Sequence, residues 1–293
     1  MDPRRLELLL ELSRLGSMRA VADAVHVTTS TVSQQIAVLS REAGAALIEP
    51  EGRRVRLTPA GRRLADHAVT ILAALEAARV DLDPEAAPAG ALRVAAFASA
   101  VRQSLLPVVR TLVQSHPDVR MLIQEHEPPE ALDLLAADDI DLALTYDYNL
   151  APATFDRSVA VVPLWETAWS VGVPAAEHGT RGNALTVFEQ FRDHDWIVNS
   201  RNTADEDVVR TVASLAGFVP RVTHRADSLE LVQDMVVAGL GVALLPAAQT
   251  TIPGVRLLPL TGPDILLRCF AVTRRGRSEW PPLALVLRLL AEV

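Results

Sequence analysis

The chain has 293 residues, enough for two or three domains with buried cores, and its 49% apolar and 22% charged content excludes a disordered chain. No run of about eighteen uninterrupted apolar residues is present, which excludes a membrane-spanning helix. The net charge of −8 argues against indiscriminate nucleic-acid binding, but residues 1–65 carry ten arginines against seven acids (+3), leaving −11 on the remainder.

A basic head on an acidic body suits a molecule that touches phosphates with one end only. The N-terminal run is amphipathic, interrupted by Arg4, Arg5, Glu7, Glu11 and Arg14, so no secretion signal is expected and the chain is assigned to the cytoplasm. Cys269, the single cysteine, cannot form an intrachain disulfide and fits a reducing compartment. Its apolar neighbours Leu266, Leu267 and Phe270 predict a small buried core residue.

The first helix is predicted with Leu6, Leu9, Leu10 and Leu15 on one face, ended by Gly16. Ser17 caps a second helix over Met18–Val25, with Ala20, Val21 and Ala24 inward. After a turn at His26-Val27, Thr28 caps a third helix whose Val32, Ile36 and Leu39 fall on one buried stripe. Ser30, Ser33, Gln34, Ala37 and Arg41 then project from the opposite side. Small hydroxyls and an amide at the start of an exposed helix can approach base edges in a major groove and both donate and accept. Two small-residue helices joined by a tight turn, the second polar outward, form a helix-turn-helix pattern.

Leu47–Leu57, with Glu51-Gly52-Arg53 at its centre, predicts a two-stranded wing. Arg53, Arg54 and Arg56 crowd its tip, and their mutual repulsion is relieved by an anion such as phosphate. The nucleic-acid contact set is therefore Ser17, Thr28, Thr29, Ser30, Thr31, Ser33, Gln34 and Arg41 from the helices, with Arg53, Arg54 and Arg56 from the wing. Thr58-Pro59 opens a long helix with an apolar stripe of Leu64, Ala68, Ile71, Leu72, Leu75 and Ala78, expected to pair with a second copy rather than pack on its own body. Pro84, Pro88 and Gly90 end it.

From Leu92 onward, apolar runs alternate with helical ones, the α/β signature. Strands are expected at Leu92–Phe97, Met121–Glu125 and Leu142–Thr145, then, after a crossing near Val161–Leu164, at Trp169–Val173, Trp196–Val198, Arg221–His224, Val242–Leu245 and Leu267–Thr273. Helices are expected to about Gln114, at Glu130–Ala137, Asp205–Ala216, Leu229–Ala238 and Leu283–Ala291. The fold class is an α-helical winged helix-turn-helix head and long linker helix followed by a two-lobed α/β domain. Its divisions are 1–58, 59–87 and 88–293, the last with one lobe of 90–162 plus 267–293 and a second of 163–266.

In parallel sheets, ligands sit beyond the carboxyl ends of strands and near helix N-termini. That rule selects Ser99, read as a helix cap or a ligand contact, together with Gln103, Thr145, Asn199, Ser200, Thr203 and Ser228. Thr203 with Glu206, and Asp227 with Glu230, have capping-box spacing. Two helix N-termini facing one cleft predict a small effector that is polar or anionic.

An ordered set of motifs runs through the chain: Gly16-Ser17, Ala20, Ala22, Val27-Thr28, Val32-Ser33, Ile36, Leu39, Gly44, Arg53 to Thr58 and Ala60-Gly61. Leu92-Arg93-Val94 with Leu105-Leu106-Pro107, His116 to Val119, Ile140 to Leu144 and Ala238 to Pro246 follow. In this order the chain resembles the LysR-type transcriptional regulators along its whole length. The resemblance implies a periplasmic-binding-protein-like pair of lobes holding a ligand, homodimers assembled into tetramers, a double-stranded operator and RNA polymerase as a further candidate partner. Thr29 and Ser30 stand where that family usually has glutamine and then proline or serine, which implies different favoured bases. Ile48 and Pro50 stand where its wing usually carries an aromatic residue and an arginine.

Catalysis is not expected, and no cofactor or metal is implied. Histidines 26, 67, 116, 126, 178, 194 and 224 lack paired metal spacing, and the Glu125-His126-Glu127 cluster reads as a solvated strand end. Gly239-x-Gly241 lacks a third glycine, and no serine sits in a nucleophile elbow. A transported-solute receptor would need a secretion signal and no basic head; an architectural DNA-binding protein would leave the lobed body unexplained.

Overall fold

The computed structural model describes residues 1–51, 54–83, 86–179, 182–199 and 203–292, with Arg54 and Thr203 described through their backbones alone. The head opens with α1 (Pro3–Leu15), α2 (Met18–Ala24) and α3 (Thr29–Ala43). Asp2, Ser17 and Thr28 cap them, each side chain accepting a first-turn N–H that the helix itself leaves unpaired. Val32, Ile36 and Leu39 are fully buried and close one core with Leu6, Leu9, Leu12, Val21, Ala22, Leu47 and Leu57.

Two details of the expected faces are corrected. In α1 the third inward residue is Leu12; Leu10 faces the linker helix beside Leu72, and Leu15 is half-buried. In α2 the buried arc is centred between Val21 and Ala22, which leaves Ala20 half-buried and Ala24 exposed.

The wing strands β1 (Ile48–Glu51) and β2 (Arg54–Leu57) pair antiparallel, with Glu49 opposite Arg56. The expected turn at Gly52-Arg53 lies outside the described residues. Thr58 then caps α4 (Pro59–Leu82). A Cβ at Gly61 would overlap the Leu47 carbonyl oxygen, so glycine lets the helix start against the wing. Ala65 and Ala68 join the head core, with Leu64 and Leu72 half-buried against it. The predicted single stripe therefore splits: Leu64, Ala68 and Leu72 pack within the chain, whereas Ile71, Leu75 and Leu82 form an exposed stripe at helical spacing, with exposed Ala78 between them.

The body contains β3 (Gly90–Ala96), α5 (Ala98–Ala100), a π-helical turn (Val101–Leu105), α6 (Leu106–Ser115), β4 (Val119–Glu125), α7 (Pro128–Ala136) and β5 (Leu142–Tyr148). Next come β6 (Val159–Pro174), α8 (Ala184–Gln190), β7 (Asp195–Val198), α9 (Thr203–Leu215), β8 (Arg221–Arg225), α10 (Leu229–Val237) and β9 (Val242–Pro246). The chain closes with β10 (Val255–Pro259), β11 (Leu266–Arg274), a 3-10 turn (Arg277–Glu279) and α11 (Pro281–Leu290).

Strand order is β4-β3-β5-β11-β6-β9-β7-β8, with β10 also on β6. The 16-residue β6 joins the lobes: Val159–Ala168 pair with β11, and Trp169–Pro174 pair with β9 and β10. The strand expected at Trp169–Val173 is thus the second half of β6. Helix α8 and strand β10 were not anticipated. The β3, β4 and β5 set is parallel, as is the β7, β8 and β9 set.

Body and linker touch at one corner. Arg274, at the end of β11, pairs with Asp66 of α4 at 2.8 Å and Asp138 at 3.0 Å. Beside it, Thr70 of α4 packs on Gly276. Arg277 bonds Asp141 at 3.1 Å and lies over the Trp280 ring at 4.3 Å.

Candidate nucleic-acid interface and interlobe cavity

Burial of Val32, Ile36 and Leu39 turns the opposite flank of α3 outward: Thr29, Ser30, Thr31, Ser33, Gln34, Ala37 and Arg41 are all exposed. At its start, Thr28 Oγ1 accepts the Thr31 N–H at 3.1 Å and lies 2.8 Å from both the Ser30 and Thr31 hydroxyls. The three hydroxyls are therefore mutually oriented before any ligand arrives, at the helix end whose free N–H groups attract phosphate. Ser17 Oγ accepts the Ala20 N–H at 3.4 Å, and its residue is part-buried.

On the wing, Arg56 already pairs with Glu49 at 2.7 Å, although both side chains remain largely exposed. Such a pair contributes little and yields readily to a phosphate. Arg53 and the Arg54 side chain lie outside the described residues.

The second site lies between the lobes, where the carboxyl ends of the two parallel strand sets converge. A cavity of about 290 Å³ is lined by Phe97, Ala98 and Ser99 after β3, Glu125 and Glu127 at the end of β4, Tyr146 of β5, Asn199 after β7, and Asp227, Ser228 and Glu230 after β8. Arg102, Trp169, Leu229 and Leu267 complete it. A compartment of about 270 Å³ adjoins it through Ser99, Arg102 and Trp169 and adds Gln103, Trp165, Thr167 and Gln249.

Of the residues expected here, Ser99, Asn199 and Ser228 meet in the main cavity and Gln103 in its neighbour. Thr145 does not line either space: it is buried, and strand alternation gives its place to Tyr146. Ser200 and the Thr203 side chain, with its expected capping box, lie outside the described residues. Ser99 is no cap, because Phe97 holds that position. Ser228, not Asp227, caps α10 by accepting the Leu231 N–H at 3.3 Å.

Polar contacts tie the lobes together across the cavity. Arg102 donates to Glu230 at 2.7 Å. The Tyr146 and Tyr148 hydroxyls donate to the two oxygens of buried Asp205 at 2.6 and 2.8 Å. Tyr146 also lies 3.1 Å from Glu127. The Tyr146 phenol also donates to Glu127, which draws its carboxyl down, but burial outweighs that contact. Burial, reinforced by the Asp205, Asp227 and Glu130 charges, pushes the Glu127 carboxyl up to about 7. The first-turn backbone N–H of Glu230, then Arg102 and Ser228, holds the Glu230 carboxyl below its ordinary value.

The residues missed from sequence are therefore Glu127, Tyr146, Trp169 and Arg102. The Glu125-His126-Glu127 cluster was visible, but Glu127 begins α7 instead of trailing into solvent. Among the described lining residues, four carboxylates (Glu125, Glu127, Asp227 and Glu230) and the Arg102 guanidinium face the space where an anionic ligand was expected. Among the described residues no group of three His, Cys, Asp or Glu is placed to hold a metal, and no helix is long and apolar enough to cross a membrane. Cys269 is fully buried, and that burial pushes its thiol up to about 12.

Comparison with known proteins finds two matching family models. Residues 3–62 match the bacterial regulatory helix-turn-helix protein, lysR family, and residues 85–293 the LysR substrate binding domain. The chain is 30% identical over 308 residues to the DNA-binding transcriptional dual regulator OxyR of Escherichia coli K12, spanning 98% of this chain and 95% of that protein. It is 26% identical to the transcriptional dual regulator GltC of Bacillus subtilis, spanning 93% of each. Among solved structures, a full-length OxyR variant from Pseudomonas aeruginosa superposes with a TM-score of 0.71 at 21% identity, over 100% of this chain and 94% of that one. Full-length CbnR complexed with its target DNA gives 0.55 at 21% identity, over 100% and 99%.

Proposed function

The chain belongs to the LysR family of bacterial DNA-binding transcription regulators, and we propose that it reads its operator through the outward flank of α3 while a small molecule in the interlobe cavity sets its state. The observation that carries this reading is the burial of Val32, Ile36 and Leu39, because it leaves Ser33, Gln34 and Arg41 free on a basic head. In the proposed complex the N-terminal turn of α3 enters the major groove, and Arg53, Arg54 and Arg56 follow the neighbouring phosphates.

Two heads read a two-fold operator, so the working unit is a cytoplasmic homodimer joined through α4, which pairs further into tetramers. The exposed stripe of Ile71, Leu75 and Leu82 supports that pairing. The functional divisions are residues 1–58 for DNA, 59–87 for pairing and 88–293 for effector binding. Ligand in the cavity favours one arrangement of the lobes by its difference in affinity between arrangements. The corner where Arg274 and Gly276 meet α4 carries that preference to the heads.

Several relatives are named hydrogen peroxide-inducible genes activators. Direct peroxide sensing by Cys269 is disfavoured, since a thiol pushed up to about 12 supplies almost no thiolate and has no second cysteine to pair with.

The test is to recover DNA fragments bound by the full chain from its own genome and to titrate them with purified protein. Enrichment of a shared two-fold motif whose binding is reduced by Ser33→Ala or Gln34→Ala supports the reading. Binding indifferent to sequence and to both substitutions refutes it.

A further inference from the structure

Resting on the reading that the arrangement of the lobes sets the state of the regulator, we infer that Asp205, held by Tyr146 and Tyr148, is a latch between the lobes, and that the proton on Glu127 sets its grip. The first ground is geometry. Asp205 comes from α9 of one lobe, and both phenols come from β5 of the other. All three residues are buried, and each Asp205 oxygen accepts one hydroxyl, at 2.6 and 2.8 Å. Hydrogen bonds from a hydroxyl to a carboxylate are of the strong kind. Burial, then the Asp205 charge, holds the Tyr148 phenol well above its ordinary value, so it stays a donor. Parting the lobes would take from that fully buried hydroxyl the acceptor it has in the closed chain. The other tie across the cavity, Arg102 to Glu230, is largely exposed and correspondingly weak.

The second ground is the position of Glu127. It begins α7 and lines the cavity, and its carboxyl lies 3.1 Å from the same Tyr146 hydroxyl. One phenol proton therefore serves two carboxyl groups from opposite lobes. While Glu127 keeps its own proton, Asp205 holds the hydroxyl against no rival charge. Once Glu127 ionises, it draws on the same proton and repels Asp205 across the phenol.

The groups facing Glu127 are Tyr146 from β5, Asp205 from α9, Asp227 before α10 and Glu130 of its own helix. Glu125 and His126 at the end of β4, Arg102 from the π-helical turn and Glu230 from α10 stand around them. Asp227 and Glu130 have contacts of their own and Arg102 answers Glu230, so the shared Tyr146 hydroxyl, not an open field of charge, couples Glu127 to Asp205.

Burial pushes the Glu127 carboxyl up to about 7. Parting the lobes removes Asp205 and Asp227 and admits water, which returns it toward its ordinary 4.5. Closure therefore takes up a proton. It is favoured in full below 4.5 and loses ground as pH rises through 7, by up to about tenfold per pH unit between those values.

The experiment places spin labels on Asp133→Cys of α7 and Asp234→Cys of α10, exposed positions on helices that start at the cavity from opposite lobes. Cys269 is buried and stays unlabelled. The full chain, with labelled copies diluted into unlabelled ones, is measured by pulsed dipolar spectroscopy from about pH 5 to about pH 8. The expected result is one short distance in acid and a growing share of a longer one as pH rises through 7. Glu127→Gln should keep the short distance in alkaline buffer. Asp205→Asn, or Tyr148→Phe should the first not fold, should favour the long distance already in acid. A distance indifferent to pH, a Glu127→Gln profile equal to the parent's, or a short distance kept by the latch variant overturns the proposal. Operator affinity of the parent and of Glu127→Gln is compared in the same alkaline buffer. A shifted distance with equal affinity keeps the latch and overturns only the reading that the lobes govern the heads.

Discussion

Gly276 offers the sharpest test of how body and linker are joined. Its φ is +82°, in the left-handed region, and a Cβ there would overlap Thr70 Oγ1 and lie 2.8 Å from Thr70 Cβ. Alanine therefore incurs two penalties: about 1–2 kcal/mol for the backbone conformation, and about 1–3 kcal/mol for overpacking against α4. Rotating Thr70 moves its hydroxyl away but leaves its Cβ in place, so the helix itself must shift. Gly276→Ala should cost about 2–5 kcal/mol in all, a large share of a domain's net stability. In a Gly276→Ala, Thr70→Gly double variant the overlap is gone, and only the backbone cost and about 1 kcal/mol for a helical glycine remain. Denaturant unfolding of the four proteins in the cycle should show a favourable coupling of about 1–2 kcal/mol. Additive effects, within about 0.5 kcal/mol, would mean that α4 does not rest on this turn in solution.

Ser33→Ala should cost about 1–3 kcal/mol on the true operator and little on unrelated DNA, read by competitive gel shift. Arg56→Ala should instead weaken all sequences alike and lower the salt slope by about 1. Ile71→Asp with Leu75→Asp should halve the mass seen by light scattering without unfolding the chain, because both side chains are exposed in the single chain; an unchanged mass removes α4 as the pairing surface. Glu127→Gln should stabilise the protein in alkaline buffer. The folded carboxyl sits near 7, above its ordinary 4.5, so the native state holds a proton that the unfolded chain releases. Stability linked to that proton is complete below 4.5 and is lost as pH rises through 7. The variant should match the parent at pH 4 and exceed it at pH 8 by up to about 3 kcal/mol, less for partial solvent access; equal melting curves at both would refute the linkage.

The head was legible because its periodicity is local: Val32, Ile36 and Leu39 repeat at helical spacing between Thr28 and Gly44, and one face decides everything. Where an element is buried on two sides the pattern blurs. Leu64, Leu72, Ile71 and Leu75 read as one stripe, yet α4 lies between its own head and open solvent and divides them. The cavity was half legible. The rule of strand ends selected Ser99, Asn199 and Ser228 correctly as to place, but residues 142–148 are buried on both faces, so nothing in the sequence said that Tyr146 and not Thr145 turns toward the ligand space. The acidic side of the cavity was not legible as a group, because Glu127 comes from one lobe and Asp227 and Glu230 from the other, a hundred residues later.

That crossing has a mechanical consequence. The lobes are not two bodies on a slack tether; the chain crosses in β6 and returns beside it before β11, where the Trp169 N–H donates to the Ile265 carbonyl, and their pivot falls where β6 changes partners, between Ala168 and Trp169. The indole that faces the ligand space is therefore mounted on the pivot itself. On the proposed reading, a small molecule seated against Trp169 would act directly on the crossing, where a slight change of angle is magnified at the lobe tips.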